Sequence, residues 1–162
     1  MLTAQVAVMT TAQVQALTTD QMAVLNSSRI AVLTTEKVAA LSTEQIAAMT
    51  TSGVSGFSTD QLSVMSSAQA EALTSLQIRV LSPAQIAAIS AAGVATFSTL
   101  DIAAMTARGA TGLTNDQLAA LSTAQIAAFS TNAIAAMSTT QIESLTTSQV
   151  EALTASQITV MS

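Results

Sequence analysis

An unbroken repeat of eight residues constrains what this chain can fold into more than any other feature. Twenty octads run from Met1 to Val160 without insertion or deletion, and Met161 and Ser162 open another. The pattern is clearest over residues 121–128, LSTAQIAA, which we number as positions 1 to 8. A short fixed period is typical of architectures in which each unit contacts only its neighbours.

Each octad carries the signals that start an α-helix. Position 2 is Ser or Thr everywhere except Leu2 and Asn26, and position 5 is most often Gln. In this capping box the hydroxyl accepts from the N–H three residues on, and the Gln oxygen accepts from the N-cap N–H. Pro83 falls at position 3, the first helical residue, which tolerates a missing N–H. We therefore predict a helix over about positions 3 to 8. Acids at position 4 suit the first turn, and they are Asp20, Glu36, Glu44, Asp60 and Asp116.

Large apolar side chains at positions 1 and 6 predict a core that the octads share. Position 1 is always large and apolar, and the three aromatic residues, Phe57, Phe97 and Phe129, all stand there. Burying one Leu and one Ile contributes about 3 to 6 kcal/mol, whereas ordering eight residues costs about 12 kcal/mol. A lone octad cannot fold, so residues 1–162 are predicted to form a single octad-repeat solenoid.

The predicted fold is all-α: an α-solenoid of about twenty very short capped helices, with two octads per coil. One long helix is excluded because eight residues advance a helix by two turns plus about 80°, so its apolar stripe would wind around the cylinder. A β-solenoid is the alternative, since Thr, Val and Ile are common. Against it, positions 1, 6 and 8 do not share the parity that a strand requires.

The chain lacks the side chains that most catalysis and metal binding require. It contains no His and no Cys, so Lys37 is the only amine that could act as a base beside the many hydroxyls. The nine acids are scattered and form no calcium-loop pattern. We predict that the protein is not an enzyme, with no catalytic, cofactor-binding or metal-binding residues and no cofactor.

Charge and hydropathy limit the kinds of partner that the chain is predicted to bind. A net charge of −5 with four basic residues predicts no nucleic-acid binding. The charge-free segments 80–100 and 117–142 are interrupted every eight residues by polar groups, so neither is predicted to span a membrane. The N-terminus lacks a basic region followed by an apolar run, and no signal peptide is predicted.

The motif L-[ST]-x-x-Q-[IV]-x-A, seen over residues 33–49 and 113–129, resembles the octapeptide-repeat arrays of large bacterial secreted or surface proteins. Such proteins are often labelled adhesion or haem-utilisation proteins. The resemblance covers the whole chain and implies a bacterial, extracellular or cell-surface location and a structural role. It carries over no haem ligand of the usual kind, because His, Cys and Tyr are absent.

The leading functional prediction is a structural scaffold, a rigid spacer or stalk. Solenoids normally finish in atypical capping repeats, but this chain has Leu2 at a cap position and stops in mid-repeat at Ser162. We therefore expect a fragment of a longer array, or a unit that self-associates through uncapped ends into a filament.

Two alternatives remain open. One is a solenoid flank that binds a protein or a glycan, although hot spots prefer Trp, Tyr and Arg. The other is an ice-binding array, suggested by low charge and by a column of Thr at position 3. Its members are Thr3, Thr11, Thr19, Thr35, Thr43, Thr51, Thr59, Thr123, Thr131, Thr139 and Thr147.

Overall fold

Each octad forms one short helix in the computed structural model, which describes residues 2–161. Met1, a predicted core residue, and Ser162, predicted as position 2 of a further octad that opens at Met161, lie outside the described residues. The helices have four to six residues each. They are α1 (Thr3–Ala7), α2 (Thr11–Gln15), α3 (Thr19–Ala23), α4 (Ser27–Ile30), α5 (Thr35–Ala39), α6 (Thr43–Ala48), α7 (Thr51–Val54), α8 (Thr59–Ser63), α9 (Ser67–Glu71), α10 (Ser75–Arg79), α11 (Pro83–Ala88), α12 (Ala91–Val94), α13 (Thr99–Ala104), α14 (Ala107–Ala110), α15 (Asn115–Ala120), α16 (Thr123–Ala128), α17 (Thr131–Ala136), α18 (Thr139–Glu143), α19 (Thr147–Glu151) and α20 (Ala155–Thr159).

The predicted caps are confirmed. From α2 to α20, every N-cap side chain accepts a hydrogen bond from the backbone N–H at position 5. Pro83 occupies the first helical residue of α11. Leu2 has no side-chain oxygen to offer, so only the Gln5 half of the box is present at α1.

The all-α prediction is confirmed, and the β-solenoid alternative is wrong for residues 2–161, which contain no strand. None of the helices in this range is long and apolar enough to span a membrane.

The predicted coil of two octads is wrong. Each helix packs against the helix three places further along, from α1 on α4 through to α17 on α20. Gln side chains at position 5 donate hydrogen bonds to carbonyls 28 to 31 residues earlier, as Gln45 does. One coil therefore takes between three and four octads. Its length is close to 28 residues, the smallest sequence separation that these Gln bonds span.

The connections explain this larger coil. A reversal after a short helix commonly uses a left-handed residue, yet no residue among 2–161 has a positive φ. Instead the chain passes from the end of one helix into the extended N-cap residue of the next. Ser82, the N-cap of α11, shows this with φ −74° and ψ 162°. Since each helix packs against the one three places along, a single connection does not reverse the chain, and more than two octads are needed to close a coil.

The core is a single column along the solenoid axis, and the predicted positions form it. Position 6 side chains such as Ile46 and Ile86 are completely buried, and the three Phe side chains at position 1 are 3% exposed. The column opens at the C-terminal end, where Val150 and Ile158 are 42% and 48% exposed. No later coil covers them within the described residues.

Candidate functional site: the glutamine ladder

A row of buried amides runs along the solenoid between Gln45 and Gln157. Position 5 was predicted only as the second half of a capping box, but its Gln side chain is buried in ten octads. These residues are Gln45, Gln61, Gln69, Gln77, Gln85, Gln117, Gln125, Gln141, Gln149 and Gln157, which we call the glutamine ladder.

Each ladder amide joins the start of its own helix to the end of a helix one coil earlier. In Gln77, Oε1 accepts from the N–H of Thr74 at 2.8 Å. On the other side, Nε2 donates to the carbonyls of Ile46 and Met49 at 2.9 and 2.7 Å. The same pattern recurs in the other nine residues, always 28 to 31 residues back.

The chemistry explains why Gln suits this position. The last carbonyls of a helix have no intrahelical partner, and leaving a buried polar group unpaired costs about 1 to 3 kcal/mol. A primary amide carries an acceptor and two donors on one rigid group. Glu could keep the cap but could not donate when ionised. The ladder thus satisfies both helix ends with one side chain.

Charged replacements at position 5 show what the site accepts. Lys37 keeps the donor: its Nζ donates to the carbonyl of Ala7 at 2.8 Å, 30 residues back. Asp101 keeps the cap instead, accepting from the Ser98 N–H at 2.9 Å. The Ser75 hydroxyl of α10 donates to its second oxygen at 2.6 Å.

In two of the octads that carry Gly at position 5, the backbone of the preceding coil comes close. A Cβ on Gly53 would lie 2.7 Å from the carbonyl oxygen of Leu25. At position 8, a Cβ on Gly56 or Gly112 would overlap the backbone of Ser27 or Pro83, respectively, in the preceding coil. In these octads direct backbone approach takes the place of the amide bridge.

The two end coils leave the ladder incomplete. Gln5, Gln13 and Gln21 are exposed; their Oε1 atoms accept from the N-cap N–H groups, but their Nε2 atoms reach no carbonyl within residues 2–161. At the opposite end the carbonyls of Met137, Leu145 and Leu153 occupy ladder-acceptor positions and receive no Gln side chain from that range. An open cavity of about 200 Å³ lies there between Met137 and Met161.

The remaining surface offers few groups that could bind a metal ion or a ligand. Among residues 2–161, no group of three or more Asp and Glu is placed to hold a metal ion. A groove of about 350 Å³ lies between α10, α13 and α17, beside Leu76 and Arg79. The Thr column of position 3 does not form a uniform exposed face, since Thr35 and Thr43 are half-buried while Thr51 and Thr59 are exposed.

One acid has a perturbed pKa. Glu44 lies in the first turn of α6, and hydrogen bonds from its own backbone N–H, the Ser42 hydroxyl and the Thr43 hydroxyl lower its pKa below the ordinary value. These donors lie at a helix N-terminus and favour the charged form of the carboxyl group.

A family model of the ALTTAQ repeat matches residues 1–27, 23–51, 38–75, 110–147 and 131–162. The six letters of its description spell positions 8 and 1 to 5 of the octad, ending on the ladder Gln. Neither a curated protein nor a solved structure matches the chain. The matched segments together cover well over half of the sequence, and the chain belongs to the ALTTAQ repeat family.

Proposed function

We propose that the protein is a rigid spacer, a scaffold that holds other parts of an assembly at a fixed distance. The observation that carries this proposal is the glutamine ladder, which ties each coil to the previous one with buried hydrogen bonds. Buried polar groups that are fully paired fix one arrangement of neighbours, because any shift leaves them unpaired. A solenoid built in this way resists bending and changes in register.

The proposed role needs no catalysis, and we propose that the chain is not an enzyme. The hydroxyls at position 2, the most numerous nucleophile candidates, are occupied as caps along the chain. For its setting we propose a bacterial secreted or surface protein, an inference that depends on the resemblance of the octad to such arrays.

The two alternative functions have less support. A glycan-binding flank would use exposed aromatic rings, but Phe57, Phe97 and Phe129 are each 3% exposed. An ice-binding face would need a regular plane of hydroxyls, and position 3 is half-buried in some octads and exposed in others, with no regular order. A protein-binding flank would centre on the groove beside Leu76, which is 67% exposed.

Small-angle scattering of a lengthened chain tests the spacer. Duplicating residues 57–112 adds seven octads, which make two further coils, in frame. At helix spacings of about 8 to 10 Å the maximum dimension should grow by about 16 to 20 Å, with no change in the radius of gyration of the cross-section. Growth in all directions, as for a globule, would refute the spacer.

A second experiment tests the location. The native source, fractionated and probed with an antibody against this chain, should show it outside the cell or on its surface. Detection in the cytoplasm alone would contradict the proposed location. It would not affect the spacer role, which the scattering experiment tests separately.

A further inference from the structure

Two large apolar side chains stand at a position of the octad that is otherwise small, polar or charged. Position 4 is exposed in all twenty octads, and in eighteen of them it is Ala, Ser, Thr, Asn, Asp, Glu or Arg. The two exceptions are Leu76 and Leu100, which are 67% and 74% exposed. Single exposed apolar residues are ordinary on a protein surface, whereas neighbouring ones indicate an interaction site.

The fold places these two leucines side by side. They occupy the same position of α10 and α13, which pack against each other. A hydrogen bond joins their immediate neighbours in the chain, because the Ser75 hydroxyl donates to Asp101 at 2.6 Å. One coil further out, α7 packs against α10 and α16 packs against α13. The leucines therefore lie on the flank of the solenoid and not at either end.

The groove described above begins beside the first of these leucines. Its volume is about 350 Å³, and its apolar lining consists of Leu76, Ala103, Ala104 and Ala107. The small side chains of α13 and α14 leave space next to the large one of α10. This space suits one apolar side chain of a ligand.

The polar lining of the groove consists mainly of hydrogen-bond donors. The Arg79 side chain has no partner among residues 2–161. The Thr106 and Ser130 hydroxyls accept from the N–H groups of Gly109 and Ala133, and their O–H groups donate to no acceptor within the same range. A carboxylate is the acceptor that matches such donors, and its bond to an Arg is among the stronger hydrogen bonds of proteins.

The charge around the groove is opposite in sign to that of the whole chain. Residues 72–115 contain two basic residues, Arg79 and Arg108, and one acid, Asp101, whereas the rest of the chain has eight acids and two basic residues. Asp101 is 9% exposed, and its oxygens already accept from two Ser hydroxyls. The groove therefore favours an anionic ligand. Two cations are too few to hold a nucleic acid, and the apolar lining instead favours an acidic peptide.

We propose that this groove and the adjacent leucines bind a short acidic peptide segment of another protein, in which a large apolar side chain lies close to a carboxylate. The apolar side chain packs on Leu76, and the carboxylate accepts from Arg79. An extended segment that crosses two helix spacings of about 8 to 10 Å has about five or six residues. The site gives the solenoid flank a point of attachment, and it does not depend on the spacer role.

Selection from a random peptide library tests the chemistry of the ligand. Seven-residue peptides displayed on phage are first depleted on the Leu76→Ser, Leu100→Ser variant and then selected on the immobilised wild type. Because both leucines are exposed, this variant should keep the circular dichroism spectrum of the wild type. We expect the enriched peptides to combine Asp or Glu with Leu, Ile or Phe. No enrichment, or enrichment of basic peptides, would overturn the proposal.

Dissociation constants of a synthetic copy of the most enriched peptide separate the two contacts. Leu76→Ser with Leu100→Ser should raise the dissociation constant at least about tenfold, because the apolar contact is lost. Arg79→Gln should raise it at least about threefold and weaken its dependence on salt. The control Ala12→Glu changes the net charge by the same amount at an exposed position 4 far from the groove, and it should bind like the wild type. Unchanged binding in either groove variant would overturn the proposal.

Sedimentation of the chain alone tests a second copy as the occupant of the groove. The wild type should remain at 16.4 kDa at the concentrations used for peptide binding. Self-association that Leu76→Ser with Leu100→Ser abolishes would assign the groove to a second copy and overturn the peptide proposal. A failure of peptide binding would not affect the spacer role, because the scattering experiment involves no peptide.

Discussion

Gln at position 5 makes two different kinds of hydrogen bond with one amide, and its structural value depends on both. The oxygen serves the start of its own helix, and the nitrogen serves the end of a helix one coil away. In Gln149 these bonds are 2.9 Å to the Thr146 N–H and 2.7 Å to the Leu121 carbonyl. The side chain is 3% exposed, so neither partner can be replaced by water without rearrangement.

Replacing a ladder Gln with Glu should separate these two contributions. In Gln77→Glu the cap to Thr74 survives, but a carboxylate faces the carbonyls of Ile46 and Met49. We expect a loss of about 1 to 3 kcal/mol or more in unfolding free energy, measured by denaturant unfolding near pH 7. Gln13→Glu is the matched control, because Gln13 is exposed; measured in dilute solution, it should change stability by less than about 0.5 kcal/mol. Equal losses at both sites would contradict the ladder.

Two glycines of the same octad make opposite predictions for substitution by Ala. A Cβ on Gly112 would overlap the backbone of Pro83, which cannot move alone, so Gly112→Ala should cost at least about 1 to 3 kcal/mol. A Cβ on Gly109 would meet only side chains, with Met105 Cγ at 3.1 Å. Because Ala favours a helix over Gly by about 1 kcal/mol, Gly109→Ala should be near neutral or stabilising. Thermal unfolding of the two variants distinguishes them, and a benign Gly112→Ala would refute the close backbone approach.

The sequence predicts the cap half of position 5 but not the ladder half. Capping is local: Ser122 and Gln125 lie three residues apart, and standard helix geometry brings them together. The carbonyl of Phe97, which Gln125 reaches at 2.6 Å, lies 28 residues away. That pairing follows only once the size of the coil is known, and the octad period does not specify it.

At the scale of one helix, the caps compensate for extreme shortness. Isolated helices of fewer than about 12 to 15 residues are marginal in water, and the helices here have four to six. Most of their backbone groups belong to a terminus, so the side chains that satisfy termini determine where each helix begins. This is why the sequence located twenty helices and placed Pro83 and the position 4 acids correctly.

The hydrogen bonds at Glu44 make the stability of α6 depend on pH. Its folded-state pKa is lowered by its own backbone N–H, then by Ser42 and Thr43. A lowered pKa stabilises the fold above the unfolded-state value of about 4.3, and this contribution disappears as the pH falls through the folded-state pKa. Glu44→Gln should therefore unfold at lower denaturant than the wild type near pH 7, with the difference vanishing well below pH 4.

The cause of this pKa can be checked directly. In Ser42→Ala, a carboxylate titration followed by NMR should show the pKa of Glu44 moving toward its ordinary value, because one hydroxyl donor is lost. An unchanged pKa in that variant would mean that the Ser42 hydroxyl does not contribute.

At the scale of the whole molecule, the number of octads in one coil was predicted wrongly for a clear physical reason. The period of the sequence reports which residue of each octad faces the core, and positions 1 and 6 were assigned correctly on that basis. The number of octads per coil depends on the angle through which each short connection turns the chain. That angle is set by small side chains and by contacts with the preceding coil, such as Gly56 against Ser27.

Because the octads are nearly equivalent, we expect the solenoid to tolerate the loss of a whole octad but not of half an octad. Deleting residues 137–144 removes α18 and leaves α19 and α20 with ordinary octads three places earlier, each with a large apolar position 6. Helical signal per residue, measured by circular dichroism, should be unchanged. Deleting residues 137–140 instead removes a core Met and the Ser138 cap and joins Ala136 to Gln141 out of frame.

In that half-octad variant the ladder residues Gln141, Gln149 and Gln157 lose their sequence spacing to the carbonyls of the preceding coil, since all three are displaced by half an octad. We expect the last three helices to unfold while α1 to α17 persist, because each coil contacts only its neighbours. Hydrogen exchange should locate the loss C-terminal to Ala136. Equal behaviour of the two deletions would mean that the octad frame does not determine how the coils stack.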